Sequence, residues 1–376
     1  MRSFALLVVP AVLAACETTS ATPVPKKQEP ALARTVPAGP DMVTAQANYT
    51  RLCAPCHADD GTGYRADNAP SLVNPTFLES ATDEFLQRSI VWGRPGTSMG
   101  GYGKSLGGPL DDASVTGLVA WLRAKGPKVR ALPPAGKGVA TRGAEMYQKY
   151  CLSCHGDAKG RGEAPHLANL QFLTVASDPF IKHAIVEGRP KTKMLAFGSV
   201  MSDAEVNDVV AYVRQLGAAS TTVTLLPEPT GKEPLVLNPK GSDPQWKPRE
   251  GRFISVDEVN AALKAGKRMI VIDARPPSEW RRAHLTGAVS IPYHEMARLA
   301  EVPKGTWTIA YCACPHHLSG IVVDELRKRG HDRALVLDEG ITVWHQRGYP
   351  VVAADGVTAP VHTHAPGAHP PGPHTH

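Results

Sequence analysis

Cys53-Ala-Pro-Cys56-His57 and Cys151-Leu-Ser-Cys154-His155 repeat one pattern within a single chain: two thiols three positions apart, then at once a histidine. Structural zinc would want two such thiol pairs at short separation. A thioredoxin-like dithiol would want a βαβ pattern around it. Here the pairs lie far apart and the surrounding periodicity is helical. A chain with this pattern is committed to building the same small helical pocket twice.

Cys-x-x-Cys-His is the attachment signature of c-type haem. Two thiols at the start of a helix each form a thioether to one vinyl group of the porphyrin, and the next residue lies under the iron. The expectation is two covalently bound haem c groups, attached at Cys53 and Cys56 and at Cys151 and Cys154, with His57 and His155 as axial iron ligands. Second axial ligands are sought in two matching Gly/Pro-containing loops: Met99 ends Gly93-Arg-Pro-Gly-Thr-Ser-Met99, and Met194 ends Gly188-Arg-Pro-Lys-Thr-Lys-Met194. A thioether sulfur favours ferrous iron and raises the potential. Met201 competes with Met194. It sits beside the N-cap of the following helix, where a methionine fills gaps in a core.

These loops belong to an internal repeat over residues 42–127 and 137–217. Each unit ends in an amphipathic helix, with Val115, Leu118, Val119 and Leu122 at helical spacing in the first and Val206, Val209, Val210 and Val213 in the second. Asp111 or Asp112, and Ser202-Asp203, are the expected N-caps, with Gly126-Pro127 and Gly217 as stops. Both units resemble class I cytochrome c along their whole length. The resemblance is carried by Cys53, Cys56, His57 and Met99, and by Cys151, Cys154, His155 and Met194. It implies two all-α domains in which the haem-bearing helix packs on the last helix, and electron transfer as the activity. The dihaem subunits of some terminal oxidases resemble the pair.

The other three cysteines of the seven have separate roles. Arg2, the apolar run Phe4–Leu13 and Ala14-Ala15-Cys16 resemble a bacterial lipoprotein signal. The segment 1–15 would be removed and Cys16 lipidated; the alternative is an ordinary secretory signal with a chance cysteine. The apolar run is too short to span a bilayer. Residues 16–41, rich in Thr, Ala and Pro, read as a flexible tether. The expected location is the periplasmic side of a bacterial membrane, held to its surface by lipid. The formal charge of +6 comes from scattered basic residues, which gives no footprint for nucleic acid and suits an acidic redox partner.

Residues 218–251 read as an extended Pro-rich linker. From Arg252 the pattern changes. A helix over Val256–Ala265 leads to a buried strand Met269–Asp273. Further strands are expected at Trp307–Tyr311 and Ala334–Leu337, with a helix at Ile321–Arg329 between them. Strands alternating with helices imply a parallel sheet. Asp273-Ala-Arg-Pro-Pro-Ser-Glu-Trp280 with His284-Leu-Thr-Gly-Ala-Val-Ser-Ile-Pro292, and Asp338-Glu-Gly-Ile-Thr-Val-Trp344 with Gly348-Tyr-Pro-Val351, resemble the two signatures of the rhodanese family over residues 252–353.

That resemblance implies an α/β domain with Cys312 as its sulfur-accepting nucleophile, at a strand end before a helix N-terminus that stabilises a thiolate. The loop departs from the family's usual cationic one, reading Cys312-Ala-Cys314-Pro-His316-His317. Histidine is only partly charged near neutral pH, which places thiosulfate turnover in doubt. Cys314 can act as a resolving thiol, with His316 and His317 as loop partners. Three readings stay open: a sulfur-handling enzyme, a non-catalytic docking module, and a thiol or metal sensor at Cys312, Cys314, His316 and His317. The tail, residues 354–376, holds His362, His364, His369, His374 and His376 among Pro and Gly. It reads as a disordered segment, with metal binding as the alternative.

The sequence therefore predicts a multidomain chain: two all-α cytochrome c domains, then an α/β rhodanese-like domain with a parallel sheet. The expected partners are a periplasmic redox donor, a respiratory electron acceptor, a membrane surface and a small sulfur compound. The expected work is electron transfer, with Cys312 binding or oxidising reduced sulfur and feeding the haems; the alternatives are a pure carrier and a sensor.

Overall fold

A computed structural model describes residues 41–217, 223–313, 316–358 and 361–362. Cys16, Cys314, the signal segment, the tether as far as residue 40 and the tail histidines after His362 lie outside the described residues.

Several helices begin where the sequence supplies caps. The Asp41 carboxylate accepts from the Val43 and Thr44 amides at 3.0 and 3.2 Å to open α1, Met42–Leu52. A one-turn helix α2, Ala54–His57, carries the first thiol pair. Next come α3, Pro75–Leu78, and α4, Asp83–Trp92, capped by Thr82. The unit closes with α5, Asp112–Arg123, capped by Asp111. The stripe Val115, Leu118, Val119 and Leu122 is buried, and Tyr49 of α1 stacks on Trp121 of α5 at 4.2 Å.

The second helical unit repeats this layout in α6, Ala140–Tyr150, α7, Leu152–His155, the short strand β1, Gly160–Arg161, α8, Leu170–Val175, α9, Asp178–Glu187, and α10, Asp203–Leu216. A reciprocal capping box between Ser202 and Glu205 starts α10, and its stripe of four valines is buried. Helices α6 and α10 cross closely at Gly143, where an added Cβ would stand 2.0 Å from the Asp208 carbonyl oxygen. The repeat extends to individual contacts. The Arg123 guanidinium binds Asp83 at 2.7 Å and the carbonyls of Leu78 and Ala81. The Arg214 guanidinium binds Asp178 at 2.5 Å and the carbonyls of Leu173 and Ala176.

The α/β part comprises β2, Val236–Leu237, β3, Phe253–Ile254, α11, Val256–Lys264, β4, Met269–Asp273, α12, Pro277–Trp280, β5, Ala283–Leu285, β6, Val289–Ser290, β7, Thr308–Tyr311, α13, His317–Lys328, β8, Ala334–Leu337, α14, Gly340–Gln346, and β9, Val351–Ala353. The main sheet runs β2-β4-β7-β8-β3, with β6 also on β4. All its pairs are parallel except the antiparallel edge β2. Every residue of β4, β7 and β8 is buried, as continuous apolar strands in a covered parallel sheet must be. One face, with Met269, Val271, Ile309 and Leu335, packs under α11 and α14. The other, with Ile270, Ile272, Ala310 and Val336, packs under α13 and is continuous with the apolar cores of the helical units.

Three expectations change. Helix α13 starts at His317, four residues ahead of the expected Ile321, because Leu318–Gly320 are already helical and bury against the sheet. The described part of the linker is seated on the α/β domain. The Leu226 amide donates to the Arg281 carbonyl and the Arg281 side-chain Nε donates back to the Leu226 carbonyl, Arg298 pairs with Glu233, and β2 adds an edge strand. The start of the tail also has a partner: Val361–His362 form β10, parallel to β1.

Candidate functional site

The two histidines after the thiol pairs are held identically. The Nδ1 of His57 lies 2.8 Å from the Pro70 carbonyl oxygen, and that of His155 lies 2.7 Å from the Pro165 carbonyl oxygen. A carbonyl only accepts, so each Nδ1 carries the proton and each Nε2 keeps its lone pair. Burial holds both imidazoles below their ordinary range against the opposing pull of the carbonyl, so both are neutral. A neutral imidazole fixed through Nδ1–H is the form that ligates a metal. A buried tyrosine braces each turn: Tyr49 Oη donates to the Ala58 carbonyl at 2.8 Å, and Tyr147 Oη to the Gly156 carbonyl at 2.7 Å.

The four thiols are free. Burial pushes Cys53 and Cys56 up to about 12 and Cys151 up to about 11. These three are protonated near neutral pH, the opposite of the low-pKa thiolate a dithiol redox catalyst needs.

The methionine loops match as closely. In the first, the Arg94 amide donates to the Met99 carbonyl at 2.6 Å and the Met99 amide to Thr97 Oγ1 at 3.1 Å. In the second, Arg189 and Met194 are joined at 2.8 Å, and the Met194 amide donates to Thr192 Oγ1 at 3.1 Å. Met201 stands directly before the Ser202 cap, as Leu110 stands before the Asp111 cap, and both are buried. The geometry groups Met194 with Met99, and Met201 with a core leucine.

Between the helical units lies an interface that each side builds in the same way. Asn74 Nδ2 donates to the Pro190 carbonyl and Asn169 Nδ2 to the Pro95 carbonyl, both at 2.9 Å. Phe77, Phe85, Phe172 and Phe180 meet between them. Such reciprocity marks a pseudo-twofold contact. Arg94 lies over Phe85 and Phe172, and Arg189 over Phe77 and Phe180. Both guanidiniums are so buried that their pKa falls to about 10. Their hydrogen bonds go to carbonyl and hydroxyl oxygens: Gly93 and Ser89 for Arg94, Gly188 and Thr76 for Arg189. Sequence reasoning gave these arginines no role, although both stood in the repeated Gly-Arg-Pro that located the methionines.

In the α/β domain Cys312 follows β7 and is fully buried. Its Sγ lies 3.3 Å from Ser319 Oγ, and its carbonyl accepts from the Ile341 amide at 3.0 Å. His316, in a left-handed conformation, donates from Nε2 to Asp338, packs tilted against Phe253 with ring centroids 4.3 Å apart and precedes α13. His317 is the first residue of that helix. Among the described residues no three His, Cys, Asp or Glu side chains are placed to hold a metal ion. Asp273, in the first signature, is structural. Its carboxylate receives Arg275 at 2.9 and 2.6 Å and Tyr311 Oη at 2.8 Å in the buried floor of the sheet.

The α/β domain is seated on the first thiol motif. Tyr293 Oη donates to the carbonyl of Leu52, the residue before Cys53, at 2.7 Å. Its one proton being used there, Tyr102 Oη donates to it at 3.0 Å. Ser278 Oγ joins both the amide and the carbonyl of Gly101, at 2.8 and 3.0 Å, and Arg51 donates to the His294 carbonyl at 3.3 Å. Nothing in the sequence pattern signalled this seating, because its contacts join residues up to 243 positions apart.

Residues 138–213 match the family model for cytochrome c oxidase, cbb3-type, subunit III, and residues 255–347 match that for the rhodanese-like domain. The chain joins a cbb3-type cytochrome c domain to a rhodanese-like domain. The cytochrome region is similar to the cbb3-type cytochrome c oxidase subunit FixP of Azorhizobium caulinodans, 30% identical over 171 residues, or 44% of this chain and 56% of that protein. The chain thus spans about half the length of the oxidase subunit it matches. A segment is 29% identical over 104 residues to the probable adenylyltransferase/sulfurtransferase MoeZ of Mycobacterium tuberculosis, covering 27% of this chain and 26% of that one. Among solved structures, a reducing HAO-like protein complex of Kuenenia stuttgartiensis matches at 21% identity and a TM-score of 0.30, covering 46% of this chain and 95% of that one. A cytochrome c domain of this kind implies haem c. No helix among the described residues is long and apolar enough to cross a membrane.

Proposed function

We propose that the chain is a two-haem electron carrier whose rhodanese-like domain hands electrons from a reduced sulfur compound to the first haem. The observation that carries the carrier reading is the duplicated histidine geometry, with Nδ1 fixed on a proline carbonyl and Nε2 free beside a pair of thiols. Haem c would attach through Cys53 and Cys56 and through Cys151 and Cys154. His57 with Met99, and His155 with Met194, are the ligand pairs this reading assigns to the iron. Bound haem supplies one-electron redox chemistry at each site. Arg94 and Arg189 fit such a group as well: each is a largely buried cation whose hydrogen bonds go to carbonyl and hydroxyl oxygens, suited to the anionic edge of a porphyrin, although Arg189 also feels the charge of Glu79.

For the sulfur step, Cys312 thiol and hydrogen sulfide would give the Cys312 persulfide, two protons and two electrons. Two one-electron carriers accept that pair. The seating of the rhodanese-like domain against Leu52 and Gly101, beside Cys53 and Met99, supports delivery to the first haem. The full burial of Cys312 favours a second reading, a non-catalytic domain that only docks. Cys16 is assigned to lipid attachment, which would hold the carrier on a membrane surface and face it to a respiratory acceptor.

Pyridine haemochrome assay should give two haems per chain, falling to one when Cys151 and Cys154 are both changed to alanine. Anaerobic stopped-flow mixing of the oxidised protein with sulfide should reduce haem, and Cys312→Ser should abolish that reduction. Equal reduction in both proteins, or none in either, would leave the docking reading for this domain.

A further inference from the structure

The two cytochrome units share a backbone but differ in what covers one face. The hydrogen bonds that pair Met99 with Met194 also pair Tyr102, whose amide donates to Ile90, with Phe197, whose amide donates to Ile185. Gly100 and Gly101 thereby correspond to Leu195 and Ala196. In the first unit this segment lies under the rhodanese-like domain. A Cβ on Gly100 would stand 2.9 Å from a ring carbon of Pro276, and Gly101 is the residue Ser278 grips. In the second unit Leu195 is 67% exposed and Val200, five residues on, is 54% exposed. The thiol-bearing turns show the same contrast. Ala54 is buried and its counterpart Leu152 is exposed; Cys56 is half-buried and its counterpart Cys154 is exposed. Tyr150 and Phe197 touch at 5.7 Å, which joins the two exposed segments into one face.

We propose that this face, centred on Leu152, Leu195 and Val200, is where the second unit exchanges electrons with an external redox protein. The matching face of the first unit is closed by the chain's own domain. Small residues stand where a domain is already seated, and leucines stand where the face is open to water. Exposed leucines carry no benefit to a face that stays solvated, whereas they supply the apolar centre of a transient interface. Exposed Lys149, Lys191 and Lys193 flank the same segments; Lys193 also pairs with Glu163 at 3.1 Å. The occupant is therefore a redox protein with an apolar contact centre and an acidic rim. The chain becomes a one-way wire: electrons enter at the capped unit and leave at the open one. The inference rests on the reading of both units as haem carriers.

The test uses the full-length, haem-loaded, reduced protein and two oxidants. One is an oxidised blue-copper protein with an acidic rim, which takes one electron per ferrous haem to give ferric haem and Cu(I). The other is benzoquinone, small and uncharged. Leu195→Asp should lower the second-order rate with the copper protein at least tenfold and leave that with benzoquinone unchanged. Val43→Asp, on the exposed start of α1, should change neither. Wild-type oxidation by the copper protein should slow with added salt. Equal rates for Leu195→Asp and Val43→Asp with the copper protein would overturn the proposal. Failure of the underlying haem reading would appear separately, as fewer than two haems per chain before any oxidant is added.

Discussion

Acidification should loosen the seat of the rhodanese-like domain through His294. This residue is 9% exposed, and neither ring nitrogen has a hydrogen-bond partner. Its neighbours are the rings of Tyr102 and Tyr293, and the cationic Arg51 donates to its carbonyl. Burial first, and Arg51 second, pull its pKa down from 6.5 to about 4. The seated state thus binds fewer protons than a state in which His294 meets water. Seating is at full strength above the ordinary histidine pKa and is lost as pH falls from 6.5 towards 4. Linkage across that gap amounts to about 2 kcal/mol between pH 7 and pH 5 and about 3 kcal/mol in the acid limit. The assay is limited proteolysis within 223–251, the strap that runs along the rhodanese-like domain, read as a cleavage rate from pH 7 to pH 5. Wild type should be cleaved about thirtyfold faster at pH 5 if cleavage follows opening, by the same free-energy conversion. His294→Gln, which cannot gain the proton, should show a flat profile once corrected for protease activity. Equal slopes for the two proteins would refute the reasoning.

Asp273→Asn should cost about 3–5 kcal/mol of stability, because it leaves the Arg275 guanidinium buried without its counter-charge. Urea denaturation followed by Trp280 and Trp344 fluorescence would measure it. Gly143→Ala should destabilise the second unit by at least ~1–3 kcal/mol, since the methyl group meets the Asp208 carbonyl at the α6–α10 crossing; thermal melts would record it. On the proposed two-haem reading, Arg94→Gln and Arg189→Gln each remove a buried positive charge, so each should lower the reduction potential of the haem in its own unit, measured by spectroelectrochemical titration. Tyr293→Phe should weaken the seat by about 1–3 kcal/mol by orphaning the Leu52 carbonyl and the Tyr102 hydroxyl. It should therefore raise cleavage of the strap even at pH 7.

How far the sequence could be read depended on the range of the interactions involved. The thiol pairs, the valine stripe of α10 and the strand Met269–Asp273 were visible because each is set by neighbours a few residues away, through helical spacing, a cap or an unbroken apolar run. The likeness of the Met99 and Met194 loops was visible from the repeat, and Thr97 and Thr192 hold the two loops alike. The start of α13 was misplaced because His316 caps it from a left-handed conformation rather than with a Ser, Thr, Asp or Asn side chain. What stayed hidden was long-range. Arg94 and Arg189 gain meaning only when two distant phenylalanine pairs converge on them, and Tyr293 and Ser278 only when a third domain arrives.

The sequence does hold a trace of that arrival, but it appears only when the two units are compared. Gly100 against Leu195, and Ala54 against Leu152, are differences between copies that are otherwise alike in their contacts. Within one copy, a glycine beside a methionine loop looks like turn chemistry and an exposed leucine looks like noise. Set side by side, they distinguish the copy that has been closed by its own chain from the copy that still faces outward. In a repeat protein the residues that break the repeat are thus the first place to look for what each copy touches.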